Sequence, residues 1–490
     1  MQVADKSIEF LTTRRFAFVL ILGVLLVMWL LPKPIVLFGM TGALAVAAGG
    51  AVLLAGLVHP VVPFSLYFAA LFFADTRLPG VGISVNQPLA ILFFLSFGVW
   101  KLRGNALKVE SRLLPLLALI SLYFTLNALT GLDFERGWEH GRSVVVYFVM
   151  AWCVAGMMRT ERSVEALAWL VVGLTFVSAI AGLMEAAQKG LLTDFSGRFA
   201  GQNRVTGGAK NSIVFGWNLV FALPFVFFLF SQLRFTPGRV LAMTMGCVMV
   251  LAALVTFNRQ TLIFIPVVAG ACAYLFRYRN RTLVMAFAVA GGVVVAATIL
   301  PMLMKRFLSV REVKTDISYL ERRDTFLVGK EMFISAPVFG VGLGSFPVSW
   351  PDFIPPDYPT HAIQYQERTR LRFPDLGYWQ LLSETGLVGL GCYVLLMGSI
   401  VWRAWRLRRR ALETEDLLAV NLASLVLTWS LFALLSAMIQ DNFLYVRNWV
   451  MFGVALLMDE RLLLRGPTPG SKPVVGLELN SDVAAGPDTV

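Results

Sequence analysis

The chain has 490 residues, of which 57% are hydrophobic and only 15% carry a charged side chain. This composition excludes a water-soluble globular protein and is typical of a polytopic helical membrane protein. The net charge of +12 does not indicate a nucleic-acid partner, because Lys and Arg form short clusters between apolar runs. Such clusters reflect membrane topology and contact with anionic lipid headgroups. The four cysteines lie in apolar stretches and the three histidines are scattered, so no disulfide framework or metal site is predicted.

A helix needs about 20 apolar residues to cross the hydrocarbon core, and the chain contains about fourteen suitable runs, with about twelve as a lower bound. The first follows Arg14 and Arg15 without a cleavage site and is predicted to be an uncleaved helix. The run 61–74 is short enough to be re-entrant, and the last run contains Arg447. The predicted spans are 16–31, 35–57, 61–74, 81–100, 113–130, 143–158, 164–184, 213–231, 239–257, 261–276, 282–304, 379–402, 417–438 and 443–458.

Charge placement predicts how this all-α transmembrane bundle is oriented. Short basic loops belong on the cytoplasmic side, and with a cytoplasmic N-terminus they are 101–112, 159–163, 232–239, 277–281 and 403–410. An even number of spans returns the C-terminus to the cytoplasm. We therefore predict one membrane domain over residues 1–465 and a disordered cytoplasmic tail over 466–490, which is rich in Gly and Pro. The large polar loop 305–378 then lies outside and contains short helices, one of them over Asp316 to Ala336.

Three outer segments, 185–212, 258–260 and 305–378, carry basic residues that the positive-inside rule does not predict. Arg binds phosphate oxygens bidentately and keeps its charge, so several converging Arg side chains would hold a diphosphate and stabilise its departure without a metal. Glycines 201, 207 and 208 would let backbone N–H groups approach the same anion. In the alternative reading, ion pairs with Asp194, Asp316, Glu321 or Asp324 would merely solvate the loops. The basic residues concerned are Arg198, Arg204, Lys210, Arg259, Arg322 and Arg323.

A transfer reaction also needs a group that accepts a proton. Asp375 precedes the apolar run at the membrane edge and is assigned this role, although it would serve equally as N-cap of a helix starting near Gly377. His361 is the alternative, and a lone loop His is more often a surface residue. Glu384 lies inside an apolar run, where a carboxylate indicates function unless a loop Arg pairs with it. We assign Glu384, His361 and Tyr378 to substrate binding.

Four stretches resemble the O-antigen ligase and O-antigen polymerase superfamily of bacterial envelope proteins. RFAGQNRVTGGAKN resembles its first outer Arg loop, and TFNRQTLIF resembles its Ser-Arg-Gly turn, with Arg259 at the Arg position. RRDTFLVGKEMFISAPVFGVGLGSF resembles an Arg–x3–aromatic run that ends in Pro–x2–Gly–x–Gly. By spacing from Pro337, Arg322 stands at the Arg position and Phe326 at the aromatic position. DLGYWQLLSETGLVGL resembles a segment that opens His-Asn–x–Tyr and ends Glu–x–Gly–x2–Gly. The resemblance covers roughly residues 185–402.

The resemblance implies a metal-independent, inverting glycosyltransferase of the bacterial inner membrane that needs no cofactor. Its donor would be an undecaprenyl diphosphate-linked oligosaccharide, and its acceptor a glycan or a glycolipid such as lipid A core. The sequence departs at the His-Asn pair of ligases, where Asp375 and Leu376 stand. This departure favours a polymerase of O-antigen or exopolysaccharide repeat units, with flippase and chain-length regulator proteins as partners. Alternatives are a ligase onto lipid A core or protein and, in a different class, a flippase for lipid-linked oligosaccharides.

Overall fold

The structure is a computed structural model that describes residues 60–72, 86–103, 109–158, 160–190, 205–209, 211–233, 236–256, 258–278, 317–355, 377–438 and 445–464. Every regular element in these ranges is a helix, and no strand occurs in them. The all-α prediction is therefore confirmed for this part of the chain. The predicted spans 16–31, 35–57 and 282–304 and the tail 466–490 lie outside the described residues.

The first half of the described chain forms eight helices that follow the predicted spans closely. Their apolar character all round the helix is expected for segments surrounded by lipid or by other helices. They are α1 Val61–Phe72, α2 Asn86–Leu102, α3 Leu113–Leu129, α4 Phe134–Met157, α5 Glu161–Gln188, α6 Ser212–Gln232, α7 Thr236–Val255 and α8 Arg259–Leu275.

The second half contains the helix that the sequence predicts inside the polar loop and three long helices after it. The loop helix is α9 Ile317–Ser335, and it is followed by a short helix, α10 Phe346–Ser349, and a 3-10 turn, Trp350–Phe353. The remaining helices are α11 Gly377–Glu413, α12 Leu417–Ala437 and α13 Val446–Leu464.

Among the described residues, six helices are long and apolar enough to cross a membrane, namely α4, α5, α6, α7, α11 and α12. Shorter apolar segments occur in α1, α2, α3 and α8. A membrane-embedded bundle is therefore supported, whereas the count of about fourteen spans stays a prediction.

Helices α4 and α11 extend furthest beyond the spans that hydropathy predicts. Helix α4 begins at Phe134 rather than at 143, because Asp133 caps it by accepting a hydrogen bond from the backbone N–H of Arg136 (3.1 Å). Helix α11 continues to Glu413, so the segment 403–410, predicted as a loop, is helical. Arg is a good helix former, and hydropathy alone does not detect a helix that leaves the apolar layer.

Helices α6 and α12 are the most deeply buried of the candidate spans and form the centre of the bundle. They contact each other, and α8 packs against both. Trp217 of α6 lies edge-on to Phe264 of α8 (6.3 Å) and to Phe432 of α12 (5.9 Å). Large aromatic side chains thus fill the space where the three helices meet.

The predicted cytoplasmic segments meet at one end of the bundle. Asp459 of α13 is fully buried and accepts hydrogen bonds from Ser111 Oγ (2.9 Å) and the backbone N–H of Arg112 (2.8 Å). The same carboxylate pairs with Arg403 of α11. Nearby, Arg408 donates from Nε to the carbonyl of Leu275 (3.0 Å). We call this the basic end; its cytoplasmic location stays a prediction.

Candidate functional site

At the opposite end of the bundle, helix α11 is broken at Gly386, and the segment after α9 fills the break. The pairing is antiparallel and satisfies backbone groups on both sides of the break, as a membrane-embedded chain requires. Its hydrogen bonds run from the N–H of Val341 to Ser383 O (3.2 Å), Gly342 to Glu384 O (2.8 Å), Leu387 to Pro337 O (3.0 Å) and Val388 to Val338 O (3.1 Å). We call residues 337–344 and 383–388 together the glycine interlock.

Glycine is required in the interlock because the two backbones touch there. Gly386 has φ 66° and ψ −168°, a conformation essentially restricted to glycine. A Cβ atom on Gly386 would lie 2.3 Å from the carbonyl oxygen of Val338. Gly340, at φ 72°, would place a Cβ atom 2.3 Å from the carbonyl carbon of Glu384. The glycines of Pro–x2–Gly–x–Gly and Glu–x–Gly–x2–Gly thus hold two segments together.

Glu384 is fully buried and joins the two halves of the interlock through its side chain. Its Oε1 accepts a hydrogen bond from the backbone N–H of Phe346 (3.0 Å), and its Oε2 accepts one from Gln380 Nε2 (3.1 Å). These bonds offset the cost of burying a carboxylate. The observed contacts therefore give Glu384 a positioning role, and its predicted substrate-binding role stays a prediction.

Helix α3 adds polar contacts to the interlock that sequence reasoning missed. Asn127 donates from Nδ2 to the carbonyl of Phe339 (2.6 Å) and accepts from the N–H of Leu343 (2.9 Å). Tyr123 Oη donates to the carbonyl of Thr385 (2.8 Å). The available signal was an amide side chain near the end of an apolar helix, which is costly unless it is hydrogen-bonded.

His140 near the start of α4 was also missed. It is partly buried, and its ring faces Gly344, where an added Cβ would lie 2.5 Å from the imidazole Cδ2. The interlock thus brings a histidine to the end of the bundle opposite the basic end.

Helix α9 carries Arg322 and Arg323 over the start of α11. Phe326, one turn after Arg322, stacks on Trp379 with ring centroids 4.5 Å apart. Trp379 Nε1 also donates to the carbonyl of Phe326 (2.9 Å). The aromatic residue of the Arg–x3–aromatic run therefore anchors α9 to α11. Only the helical position of Arg322 is described, not its side chain.

Arg323 has the ion-pair contact that the alternative reading predicts. Its Nη2 lies 3.6 Å from Asp324 Oδ1, and 39% of its side chain is exposed. The carboxylate of Asp324 is almost completely buried. A substrate-binding role for Arg323 stays a prediction.

Arg259 is the first residue of α8, and its side chain is likewise not described. Asn258 caps this helix by accepting from the N–H of Gln260 (3.2 Å). Thr261 lies against Gly216 of α6, where an added Cβ would meet Thr261 Oγ1 at 2.0 Å. This close approach fixes the start of α8 beside the second turn of α6.

Tyr378 anchors the start of α11. Its Oη donates to the carbonyl of Leu434 in α12 (2.8 Å), and its ring lies edge-on to Tyr393 (6.1 Å). Its predicted contact with substrate stays a prediction.

The short segment 205–209 belongs to the first outer Arg loop and folds back onto α5. Glu185 accepts hydrogen bonds from the N–H groups of Thr206 (2.8 Å) and Gly207 (3.1 Å) and pairs with Lys189 (2.7 Å). The prediction that Gly207 offers its N–H to a substrate anion is wrong here, because a carboxylate of the chain accepts that hydrogen bond.

The other predicted site residues lie outside the described residues. They are Arg198, Arg204, Lys210, His361 and Asp375.

The contacts above place several helix ends together. The start of α11 contacts the end of α12 through the hydrogen bond from Tyr378 to Leu434. The interlock joins the end of α3 and the start of α4 to the same region. The starts of α6 and α8 meet through Gly216 and Thr261. Since α12 runs from the basic end toward this region, the arrangement separates the interlock from the basic end.

Comparison with known families identifies part of this arrangement. Residues 244–394 match the family model described as O-antigen ligase. The match begins within α7, ends within α11 and contains Arg259, Arg322 and both halves of the interlock. The resemblance to the O-antigen ligase and polymerase superfamily is confirmed. A comparison with curated proteins found no match.

Proposed function

We propose that this protein of the O-antigen ligase and polymerase superfamily is a polysaccharide polymerase. It transfers glycan repeat units from undecaprenyl diphosphate to a growing chain at the periplasmic face of the bacterial inner membrane. The observation that carries the proposal is the interlock, which fixes α9, the helix of Arg322, onto α11, the helix that follows Asp375 in the sequence. Family membership supports a lipid-linked glycan as substrate.

The chemistry follows from the residue types. An acceptor hydroxyl attacks the anomeric carbon of the donor, the new glycosidic C–O bond forms, and the bond to the diphosphate oxygen breaks with inversion. Arg259 and Arg322 stabilise the negative charge on the departing diphosphate, and Arg198, Arg204, Lys210 and Arg323 bind it in the ground state. Asp375 accepts the proton of the hydroxyl.

In this reaction the interlock would position α9, the helix that carries Arg322. A reacting group displaced by about 1 Å can cost on the order of 100-fold in rate, so catalytic groups need rigid support. Helix α9 is attached to α11 by the stacking of Phe326 on Trp379 and is packed against a small apolar cluster of Val328, Met332, Val341 and Phe346. The backbone pairing at Gly386 adds a further attachment just after α9 ends.

A ligase is the second candidate, and the description of the matching family favours it. The substitution of Asp375 and Leu376 for the His-Asn pair favours the polymerase. Both enzymes would use the same donor and the same diphosphate contacts, and they differ in the acceptor.

The test begins with the lipid-linked glycans that accumulate in a deletion strain. Single repeat units on lipid indicate a lost polymerase, and a full ladder on lipid indicates a lost ligase. Because loss of a flippase also leaves single units, purified protein is then incubated with lipid-linked repeat units. A polymerase produces longer lipid-linked chains, whereas a flippase forms no glycosidic bond. Failure to form longer chains would therefore overturn the proposal.

A further inference from the structure

A buried arginine lies near the start of α13, beyond the segment that matches the family model. Arg447 is 5% exposed and donates from Nη1 to Asn218 Oδ1 of α6 (2.7 Å). Its guanidinium lies over the rings of Trp217 (5.5 Å) and Tyr445 (4.6 Å). Two aromatic faces and one amide thus hold the cation in place.

Within the part of the chain that the structure describes, two nitrogens of Arg447 make no hydrogen bond. Its Nε and Nη2 are buried and have no hydrogen-bond partner within the described residues. No carboxylate of those residues lies within ion-pair distance of it. A buried cation in a membrane protein is costly unless an anion neutralises it, and such residues mark sites of function.

Further polar groups without a partner among the described residues lie on Trp217, whose ring contacts this arginine, and at the start of α8. Trp217 Nε1 and Asn258 Nδ2 are donors that are buried without a partner among the described residues, and Gln260 Oε1 and Thr261 Oγ1 are also unpartnered there. Gly216, next to Trp217, contacts Thr261, so the start of α8 and the start of α13 flank the same turn of α6. Arg259 is the first residue of α8 and therefore lies at this place in the fold.

The helix termini favour an anion at the same position. Helices α6, α8 and α13 begin at Ser212, Arg259 and Val446, and the contacts of Arg447 and Thr261 place the last two starts beside α6. Helix N-termini carry partial positive charge and bind phosphate groups. Together with the unpartnered Nε and Nη2 of Arg447, these helix starts form a group of donors suited to phosphate oxygens.

We infer that Arg447 binds the diphosphate of the lipid-linked donor and that α13 thereby forms one wall of the donor site. The inference rests on the proposed function and adds a residue that neither the outer-loop pattern nor the family match identifies. Its planar guanidinium presents Nε and Nη2 along one edge, the geometry for two phosphate oxygens. A phospholipid headgroup shares this chemistry, so the test distinguishes the two.

The experiment uses full-length protein in nanodiscs of phosphatidylcholine, with undecaprenyl diphosphate as the probe and the dissociation constant as the readout. We expect Arg447→Gln to weaken binding at least about tenfold, because the charge and the paired donors are lost. Arg447→Lys restores the charge without the fork and should give an intermediate value. Arg409→Gln, an exposed arginine at the basic end, is the charge-matched control and should bind like the wild type.

Each outcome decides between alternatives. If Arg447→Gln and Arg447→Lys bind the diphosphate like the wild type, the inference is overturned while the proposed function stands. If Arg447→Gln weakens binding of phosphatidylglycerol but not of undecaprenyl diphosphate, Arg447 holds a lipid headgroup and the inference is overturned. If the wild type binds no undecaprenyl diphosphate, the proposed function itself fails. Thermal unfolding checks folding, and if Arg447→Gln is unfolded, the Lys variant decides.

Discussion

At the scale of single residues, most of the polar side chains at the interlock stabilise the fold through hydrogen bonds within the protein. Glu384, Asn127 and Tyr378 all have protein partners for the polar atoms discussed above. Among the described residues, Nε and Nη2 of Arg447 and Nε1 of Trp217 have no hydrogen-bond partner. Since buried polar groups are normally satisfied, the unpartnered nitrogens of Arg447 support the inferred donor site.

Each of the arginines that we propose to bind the diphosphate should be needed for full activity. We expect Arg198→Ala, Arg259→Ala and Arg322→Ala each to lower turnover. Each should raise the free energy of the transition state by on the order of 2–4 kcal/mol, as removal of one oxyanion donor does. Lys at these positions should restore only part of the rate. Turnover of purified protein on lipid-linked repeat units measures this, with membrane content checked in parallel. Arg162→Ala, an exposed arginine at the start of α5, is the control. Normal turnover in all three variants would refute the proposed role of these arginines.

Asp375 and His361 can be told apart by conservative replacements. Asp375→Asn keeps the size of the side chain and its capacity to cap α11 but removes the charge that accepts a proton. A catalytic role predicts lost activity at unchanged thermal stability, whereas a capping role predicts nearly normal activity. The measurement pairs polymer length with the unfolding midpoint. Loss of polymer in His361→Ala with normal polymer in Asp375→Asn would reverse our assignment.

At the scale of elements, the broken helix α11 explains why two separate glycine motifs occur in one chain. A break in a membrane helix exposes backbone groups that lipid cannot satisfy. The segment 337–342 supplies them, and its own glycines permit the close approach. Each motif satisfies backbone groups of the other, so both belong to one structural unit that follows α9.

Replacing glycines of α11 tests this unit. Gly386→Ala forces a Cβ into a glycine-only conformation and against the carbonyl of Val338, which should destabilise the protein by on the order of 3 kcal/mol or more. Gly391→Ala in the same helix meets no atom within 4 Å and should be neutral or stabilising by up to about 1 kcal/mol. Thermal unfolding of the purified variants gives the comparison. Equal midpoints would show that the interlock adds no stability.

Periodicity and hydropathy predicted the positions of most described helices, including α9 inside the polar loop. They did not reveal the break in α11, because the run 379–402 is apolar enough on average to be predicted as one continuous span. Nor did they pair Asn127 with Leu343 or Arg447 with Asn218, since residues so far apart in the chain meet only through tertiary packing. In the sequence, Arg447 weakens the prediction of the span 443–458 because it is charged. In the structure its side chain is buried, which indicates a function.

At the scale of the whole molecule, groups of hydrogen-bonded polar residues lie at two opposite ends of an apolar bundle. Asp459, Arg403 and Ser111 tie together the basic end, where the clustered charges favour the cytoplasm. The interlock and the surroundings of Arg447 lie at the end where α11 and α13 begin. The proposed reaction requires that this second end face the periplasm.

Cysteine labelling of intact cells tests that orientation. In a background with Cys153, Cys247, Cys272 and Cys392 replaced, single cysteines are placed at Lys330 on α9 and at Glu415 between α11 and α12. Both side chains are accessible, at 52% and 81% exposure. We expect an impermeant maleimide to label the Lys330 position in intact cells and the Glu415 position only after permeabilisation. The reverse pattern would place the interlock, Arg322 and Arg447 in the cytoplasm, where a periplasmic polymerase cannot meet its donor.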